Sequence, residues 1–516
     1  MLKRCKRERL FSIRTNNNFF IGINVVTLVA TFFYFLKMMK FLLTIVLFQI
    51  LINPFFSQEN VVLLVNQPQE IKSNEYDNDL LLASFFENNR NELRKLMPKN
   101  SVAVLFSNPI RNRSNDVDFQ YHQDPNFYYL TGLREPNSVV FIFKEVQQYG
   151  NDINTDEILF VQKSNSLDEI WTGKRLGVDG TEKFLGIKKA MASNDFSIID
   201  LELETFDKVL IGRIPEDVVN NFAKDDLYSL IQVFNQKTKK CESKLDKNMV
   251  ENQFMPKLRQ VKKPEELELI KKAIDITCEA QMELMKSLTP QLKEYQTQAI
   301  VEYVFKNNGA EYPGFPTIMG SGENSCVLHY TSNRKPFEQN DLLVSDIGAE
   351  YHGYTADVTR TLPVNGKFSE EQKIIYNIVL EAQNAGIKLC KKGSKFWDPH
   401  DAATQVIASH LLKLGIISKT YEVKEYFMHG TSHYLGLDVH DAGLFGALEE
   451  GNVITVEPGI YIPAGANCDP KWWNIGVRIE DDILITDGEP INLSAKAPRT
   501  IDEIEHLMLE VGSFEK

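Results

Sequence analysis

Four acids and a group of histidines in the C-terminal half have the residue types and spacing to do chemistry. Asp346 ends the apolar run Leu342-Leu343-Val344-Ser345, and Asp357 sits in Tyr354-Thr355-Ala356-Asp357-Val358-Thr359-Arg360-Thr361. His352-Gly353 between them reads as a two-residue turn. A hairpin closed there sets Asp357 opposite Gly348, two residues from Asp346, so both acids point to one face of the sheet. Carboxylates that close repel each other unless a cation or a proton lies between them. Two solvated acids at a hairpin is the plainer reading, and this pair alone does not decide.

Three of the nine histidines, His429, His433 and His440, fall within 12 residues. Neutral imidazole is a common metal ligand and carries protons near neutral pH. The glycines beside them, Gly430 and Gly436, argue for a loop rather than the helical HExxH arrangement of zinc proteases. Glu457 closes the run Val453-Ile454-Thr455-Val456 and is followed by the turn signal Pro458-Gly459. Glu480 ends Ile475-Gly476-Val477-Arg478-Ile479-Glu480, where Arg478 and Glu480 share the face opposite Ile475, Val477 and Ile479. Taken alone, Arg478 and Glu480 read as a surface ion pair. Taken together, four carboxylates and a histidine form a hard, oxygen-rich donor set that suits Mn²⁺ or a similar divalent ion. The acids suffice to bridge two such ions about 3.5–4 Å apart. By residue type and spacing alone, the chain is a metallohydrolase.

These side chains need strands and loops held by helices. Pro264 opens a helix, with Glu265 and Glu266 in its first turn and Leu267, Ile270, Ile274 and Cys278 at helical spacing. Ser369 and Gln372 form a capping box for a second. A third runs from about Pro399 to Leu414, with Gly415 placed to end it. Strands among such helices predict an α+β domain. Upstream, Leu80–Met97 has a helical pattern, and Val102–Phe106 and Val139–Phe143 read as short buried strands. The lysine-rich stretch Lys237–Asn248 reads as the interdomain region.

With 516 residues, two domains are the natural expectation, and 43 % apolar with 25 % charged residues describes a soluble globular body. The net charge is −13; residues 1–58 hold eight basic side chains against one acid, so they carry +7 and the remainder −20. An acidic body argues against nucleic-acid binding, which needs a basic face. Six scattered cysteines without a CxxC give neither a disulfide framework nor a zinc knuckle. Before residue 75 lie two apolar runs, Phe19–Leu36 and Phe41–Phe56, separated by Lys37-Met38-Met39-Lys40. Three readings stay open. The second run is a signal peptide if translation starts at Met38 or Met39, exporting the protein to a periplasm or the exterior. Started at Met1, the first run is long enough to anchor the chain in a membrane. The third is a misread start on a cytosolic protein.

At the residues above, the sequence resembles the aminopeptidase P (Xaa-Pro aminopeptidase) branch of the pita-bread metallopeptidases. The stretches that carry the resemblance are Ser345–Tyr351, Tyr354–Pro363, His429–Asp441, Val456–Tyr461 and Val477–Asp482, joined by Asp124–Gly132 and Trp171–Arg175 upstream. The resemblance implies a pita-bread catalytic domain over 249–516, a smaller α/β N-terminal domain over 76–248, and a leader over 1–75 outside the match. It implies two divalent metal ions, with Asp357 and Glu480 bridging, Asp346 on one ion, and His433 and Glu457 on the other. It further implies that His329 and His440 bind substrate and stabilise the tetrahedral intermediate. His429, Tyr461 and Arg478 match positions around the proline pocket, and Glu457 is the candidate to carry the proton to the leaving nitrogen. The implied reaction is hydrolysis of the N-terminal Xaa-Pro bond of a peptide by a metal-bridging hydroxide. A homo-oligomer is a family expectation. The rivals are a prolidase restricted to Xaa-Pro dipeptides and a non-catalytic pita-bread binding module.

Overall fold

The computed structural model describes residues 77–514 except 78, 150–152 and 221–224. Both apolar runs before residue 75 lie outside the described residues. Among the described residues, no helix is long and apolar enough to cross a membrane.

The first part of the body begins with α1 (Ala83–Leu96), the helix expected over Leu80–Met97. β1 (Ser101–Phe106) lies at the heart of a mixed six-stranded sheet. It pairs antiparallel with β2 (Val139–Tyr149), which pairs antiparallel with β3 (Ile153–Val161), and the parallel β4 (Ala190–Ala192) closes that edge. On its other side β1 runs parallel to β5 (Lys208–Ile211), followed by the parallel edge strand β6 (Leu245–Asp246). The continuous apolar run of β1 has a physical reason. Successive side chains point to opposite faces, and both faces are covered. Ala103 and Leu105 pack with α1 in one core cluster, whereas Val102, Val104 and Phe106 pack in another with Phe234 and Phe196. The Lys237–Asn248 stretch is ordered: a 3₁₀ turn over Thr238–Lys244 leads directly into β6. Its lysines are polar because it runs along the sheet's edge.

α2 (Pro264–Ser287) begins at the predicted proline, and the Glu266 carboxylate accepts the Lys263 N–H at 2.9 Å. It lies along the hairpin that carries the first two acids. One arm is β7 (Leu342–Ile347) continued by β8 (Ala349–Tyr351); the other is β9 (Tyr354–Thr355) continued by β10 (Val358–Pro363). Ile347 faces Val358 and Glu350 faces Thr355, an unbroken register that sets Asp357 across from Gly348 as expected. The turn is His352-Gly353, both at positive φ (51° and 90°), as a two-residue hairpin loop requires. At Gly348 a Cβ would sit 1.8 Å from the Ala356 carbonyl oxygen, so only glycine permits this approach. The helix holds this break: Gln281 Nε2 donates to the carbonyls of Ser345 (3.0 Å) and Val358 (2.8 Å), and the Thr277 hydroxyl accepts the Ala349 N–H (2.9 Å).

Two further helices back the strands. α3 (Glu370–Ile387) starts at the Ser369/Gln372 capping box, and α4 (Asp398–Lys413) ends before Gly415 at φ 69°. The last acids come from β11 (Val453–Val456), which pairs with β14 (Asp481–Leu484), and from β12 (Gly459–Ile462) paired with β13 (Ile475–Arg478). β13 stops at Arg478, two residues short of the predicted strand. Glu480 falls where the chain crosses from β13 to β14, its N–H bonded to the Thr359 carbonyl at 3.1 Å.

Candidate metal centre

Five separate segments deliver their acids and histidines to one cavity of about 510 Å³, lined among others by Asp346, Asp357, His329, His429, His433, His440, Glu457, Arg478 and Glu480. Asp346 and Asp357 arrive together on the hairpin face, 7 % and 5 % exposed. His433 arrives on a loop stitched to β11, where the Thr455 N–H donates to the His433 carbonyl and the Leu435 N–H to the Val453 carbonyl. Glu457 and Glu480 leave the ends of β11 and β13.

His433 is at the centre of the acids. Its Nε2 is 3.4 Å from Asp357 Oδ2, 3.5 Å from Glu457 Oε1 and 4.0 Å from Glu480 Oε1. Its Nδ1 lies 3.0 Å from the Tyr434 carbonyl. A carbonyl only accepts, so Nδ1 carries a proton and Nε2 is the ring nitrogen turned toward the carboxylates, the orientation of a metal-ligating imidazole. Among the described residues, Asp357, His433 and Glu480 bring ligand atoms within 4.8 Å of one another.

The decisive feature is what the acids lack. Asp346 Oδ1, Asp357 Oδ1 and Glu480 Oε1 are buried without a hydrogen-bond partner. Their other contacts hold them in place: Thr359 Oγ1 donates to Glu480 Oε2 at 2.6 Å, Arg478 Nη2 to Asp346 Oδ2 at 2.6 Å, and the Asp357 N–H to Asp482 Oδ2 at 3.2 Å. Burial first, then the charges of Asp346, Asp482 and Glu457, push the Asp357 carboxyl well above its usual range. Burial and then Asp357, Glu457 and Asp346 do the same to Glu480. Glu457 is pushed up to about 6 by burial, which outweighs the pull of His433 and Arg478. Buried polar atoms are nearly always satisfied, and like charges so close need a cation. Orphaned, hard oxygen donors around an available imidazole therefore fit divalent ions.

Arg478 is not a surface residue. It is 4 % exposed, and it pairs with Asp346 on a strand of another sheet rather than with Glu480 two residues on. Its Nη1 donates to the Tyr461 hydroxyl at 3.0 Å, which in turn donates to His429 Nε2 at 2.9 Å, because His429 Nδ1 is committed to the Gly430 carbonyl. Burial and the Arg478 charge push His429 down to about 4, so it is neutral at physiological pH. His440 is also lowered, by burial and then by His433 and His329, and its ring sits edge-on to that of His433 at 4.4 Å. His329 lies on the cavity wall. All of the predicted site residues thus line this cavity except Tyr461, which lies directly behind His429.

Sequence reading passed over Thr359 and Asp482. Thr359 links Glu480 to Arg478, since its hydroxyl also accepts from Arg478 Nε at 3.2 Å. It is two residues beyond Asp357 on the same arm of the hairpin, so period-two alternation could have found it. No local signal marks Asp482, whose role depends on meeting the Asp357 backbone. The apolar part of the cavity, including Phe315, Ile318, Leu328 and Val439, was likewise not foreseen.

Comparison with known proteins accords with this geometry. The profile of Metallopeptidase family M24 matches residues 268–487, and that of the Aminopeptidase P, N-terminal domain, matches residues 86–203. The Xaa-Pro aminopeptidase of Escherichia coli (strain K12) is 36 % identical over 443 residues, covering 82 % of this chain and 97 % of that protein. The mitochondrial intermediate cleaving peptidase 55 of Arabidopsis thaliana is 30 % identical over 430 residues, covering 81 % of each. Among solved structures, aminopeptidase P from E. coli with the inhibitor Pro-Leu superposes with a TM-score of 0.73 at 33 % identity, covering 83 % of this chain and 98 % of that one. The expected α+β architecture, a pita-bread catalytic domain preceded by a smaller N-terminal domain, is the one these relatives share.

Proposed function

Because the chain belongs to the aminopeptidase P branch of metallopeptidase family M24, we propose that this metal-dependent aminopeptidase removes the residue in front of proline at a peptide's N-terminus. The observation that carries the proposal is the set of buried carboxylate oxygens without a partner, Asp346 Oδ1, Asp357 Oδ1 and Glu480 Oε1, on residues lining the cavity in which His433 Nε2 lies 3.4 Å from Asp357 Oδ2 and 4.0 Å from Glu480 Oε1. Asp346, Asp357, His433, Glu457 and Glu480 would hold two divalent ions, with Mn²⁺ favoured by the oxygen-rich donor set. When bound, such ions supply Lewis-acid polarisation of a carbonyl and an acidified water as nucleophile.

The chain's own residues do the rest. Glu457, raised to about 6, is suited to take up a proton and give it to the leaving proline nitrogen near neutral pH. His440 and His329 face the cavity as hydrogen-bonding groups for the developing oxyanion. The Arg478–Tyr461–His429 chain of donors fixes the imidazole beside the space where the proline ring would pack. Arg478 also sets a positive charge against Asp346, 2.6 Å from its Oδ2. The prolidase and the non-catalytic module are not favoured: the Escherichia coli relative is named Xaa-Pro aminopeptidase, and the five candidate ligands all line one cavity. The division of the chain near residues 75 and 248, export or anchoring through the leader, and homo-oligomer formation belong to this same proposal.

The test is hydrolysis of Ala-Pro and of longer Ala-Pro peptides with added Mn²⁺, with and without a chelator. Release of alanine from tripeptides and longer substrates, abolished by chelation, is the expected result. Cleavage of Ala-Pro alone would make the protein a dipeptidase. No cleavage of either, with about zero metal retained per chain after dialysis against Mn²⁺, would make it a binding module.

A further inference from the structure

We propose that Trp397 and Phe445 form an aromatic shelf that binds apolar side chains of the substrate at its third and fourth positions. The inference rests on the reading above and extends it beyond the proline. A series of ring contacts leads from His429 on the cavity wall to the surface: His429 to Phe427 (5.0 Å), Phe427 to His400 (5.4 Å) and His400 to Trp397 (6.1 Å). At its outer end, Trp397 and Phe445 lie nearly parallel, 23° apart with ring centroids 6.3 Å apart. They are 49 % and 66 % exposed.

Two large aromatic rings held together in water need an explanation. Both lean edge-on against Phe396, itself 1 % exposed, at 5.6 and 4.9 Å. The loops that carry them are tied by the Phe396 N–H to the Gly446 carbonyl (3.0 Å) and the Leu448 N–H to the Ser394 carbonyl (2.8 Å). The shelf is therefore pre-organised, which lowers the entropy cost of binding. It is also continuous with the reaction site. Gly430 lines the cavity, and a Cβ built on it would lie 3.7 Å from the Trp397 ring.

The chemistry of an aminopeptidase identifies the occupant. A single residue precedes the scissile bond, and its free amine must stay at the metal centre. Any part of a substrate that leaves the cavity past His429 and Gly430 is therefore downstream of the proline. A flat aromatic surface favours phenylalanine, tyrosine, leucine or a further proline there over glycine or aspartate.

The experiment compares kcat/KM for Ala-Pro-Phe-Phe and Ala-Pro-Gly-Gly, a ratio in which losses common to both substrates cancel. The full-length protein should favour the first by about 5–10-fold. Trp397→Ala should bring the ratio to within about twofold of one, Phe445→Ala should lower it in part, and Trp397→Phe should retain most of it. Calorimetric binding of the product peptides Pro-Phe-Phe and Pro-Gly-Gly reads the same shelf without turnover. A flat ratio in the unaltered protein, or one that both alanine variants leave unchanged, overturns the proposal. So does a change of oligomeric state in Trp397→Ala with the ratio intact, which would assign the shelf to contact between copies. If no peptide is cleaved but Pro-Phe-Phe binds more tightly through Trp397, the shelf stands and the enzymatic reading fails. Cleavage with a flat ratio does the reverse.

Discussion

Glu157 in the first sheet and Glu480 in the metal centre are the same residue type, 0 % and 1 % exposed, yet they stand in opposite electrostatic states. Around Glu157 every oxygen is used. Oε2 accepts from Arg90 Nε at 2.9 Å and from Arg94, and Oε1 accepts the Lys188 N–H at 3.0 Å. Burial would raise its carboxyl, but Arg90 and Arg94 outweigh that and leave it below the usual range. Around Glu480 one oxygen is orphaned, and the neighbouring charges are acids that add to burial. Asp441 makes the same point within a site motif. It is one residue from His440 but is saturated by Arg259 and Lys262 and held low, so it supports the loop rather than the chemistry. Burial thus does not separate Glu157 and Asp441 from Glu480; the difference lies in whether each oxygen has a partner and in the sign of the charges around it.

The largest effect should come from Asp357→Ala, which removes a carboxylate common to most of the cluster's contacts. Metal content by elemental analysis should fall to background, and Ala-Pro-X hydrolysis should drop by about 10³-fold or more. Normal metal content in that variant would break the contrast at once. Next, Glu157→Gln leaves two buried arginines short of a counter-charge and should cost about 3 kcal/mol in urea unfolding. The identical exchange at Glu480 should act with the opposite sign on metal-free protein at pH 8. Removing a repelling charge should raise the unfolding midpoint, by about 1 kcal/mol. Two substitutions of like sign would erase the distinction.

The pH dependence sharpens it further. Glu157 has a depressed carboxyl, so its contribution is present above the ordinary glutamate range and lost as pH falls through the lowered value. Glu480, Asp357 and Glu457 are raised, so their contribution is present in acid and lost as pH rises. For Glu457 that window runs from 4.5 to about 6. Added Mn²⁺ should therefore raise the melting temperature of stripped protein more at pH 7.5 than at pH 5, as read by scanning fluorimetry; equal shifts would contradict it. The smallest effect belongs to neither cluster. Lys391 and Glu489 are 42 % and 81 % exposed, and Lys391→Ala should change stability by less than about 0.5 kcal/mol. A larger loss there would mean that surface pairs, too, matter in this protein.

Much of the catalytic half was legible because its signals are local. Pro264, the Ser369/Gln372 box and Gly415 mark helix ends through interactions spanning three or four residues. The His352-Gly353 turn sets the register of the whole hairpin, and with it the shared face of Asp346 and Asp357. Arg478 was misleading for the opposite reason. Alternation correctly put it on the polar face of its strand, but whether that face meets water or Asp346 depends on a second sheet. Within the Lys237–Asn248 stretch the two-residue edge strand β6 gave no signal, because an edge strand needs few apolar residues. Asp482 was invisible because its partner, the Asp357 N–H, is 125 residues away in sequence; alternation from Asp357 could have pointed to Thr359, but not to its contact with Glu480.

By itself, the sequence determined the donor chemistry, the local elements that present it and the turn that aligns the first two acids, because these follow from side-chain type and short-range backbone geometry. Tertiary structure alone decided that His433, Glu457 and Glu480 meet that pair, that three carboxylate oxygens are left without partners, and that Trp397 and Phe445 stand at the rim. Those facts depend on which chains pack together and exclude water, and no spacing along one chain encodes that directly.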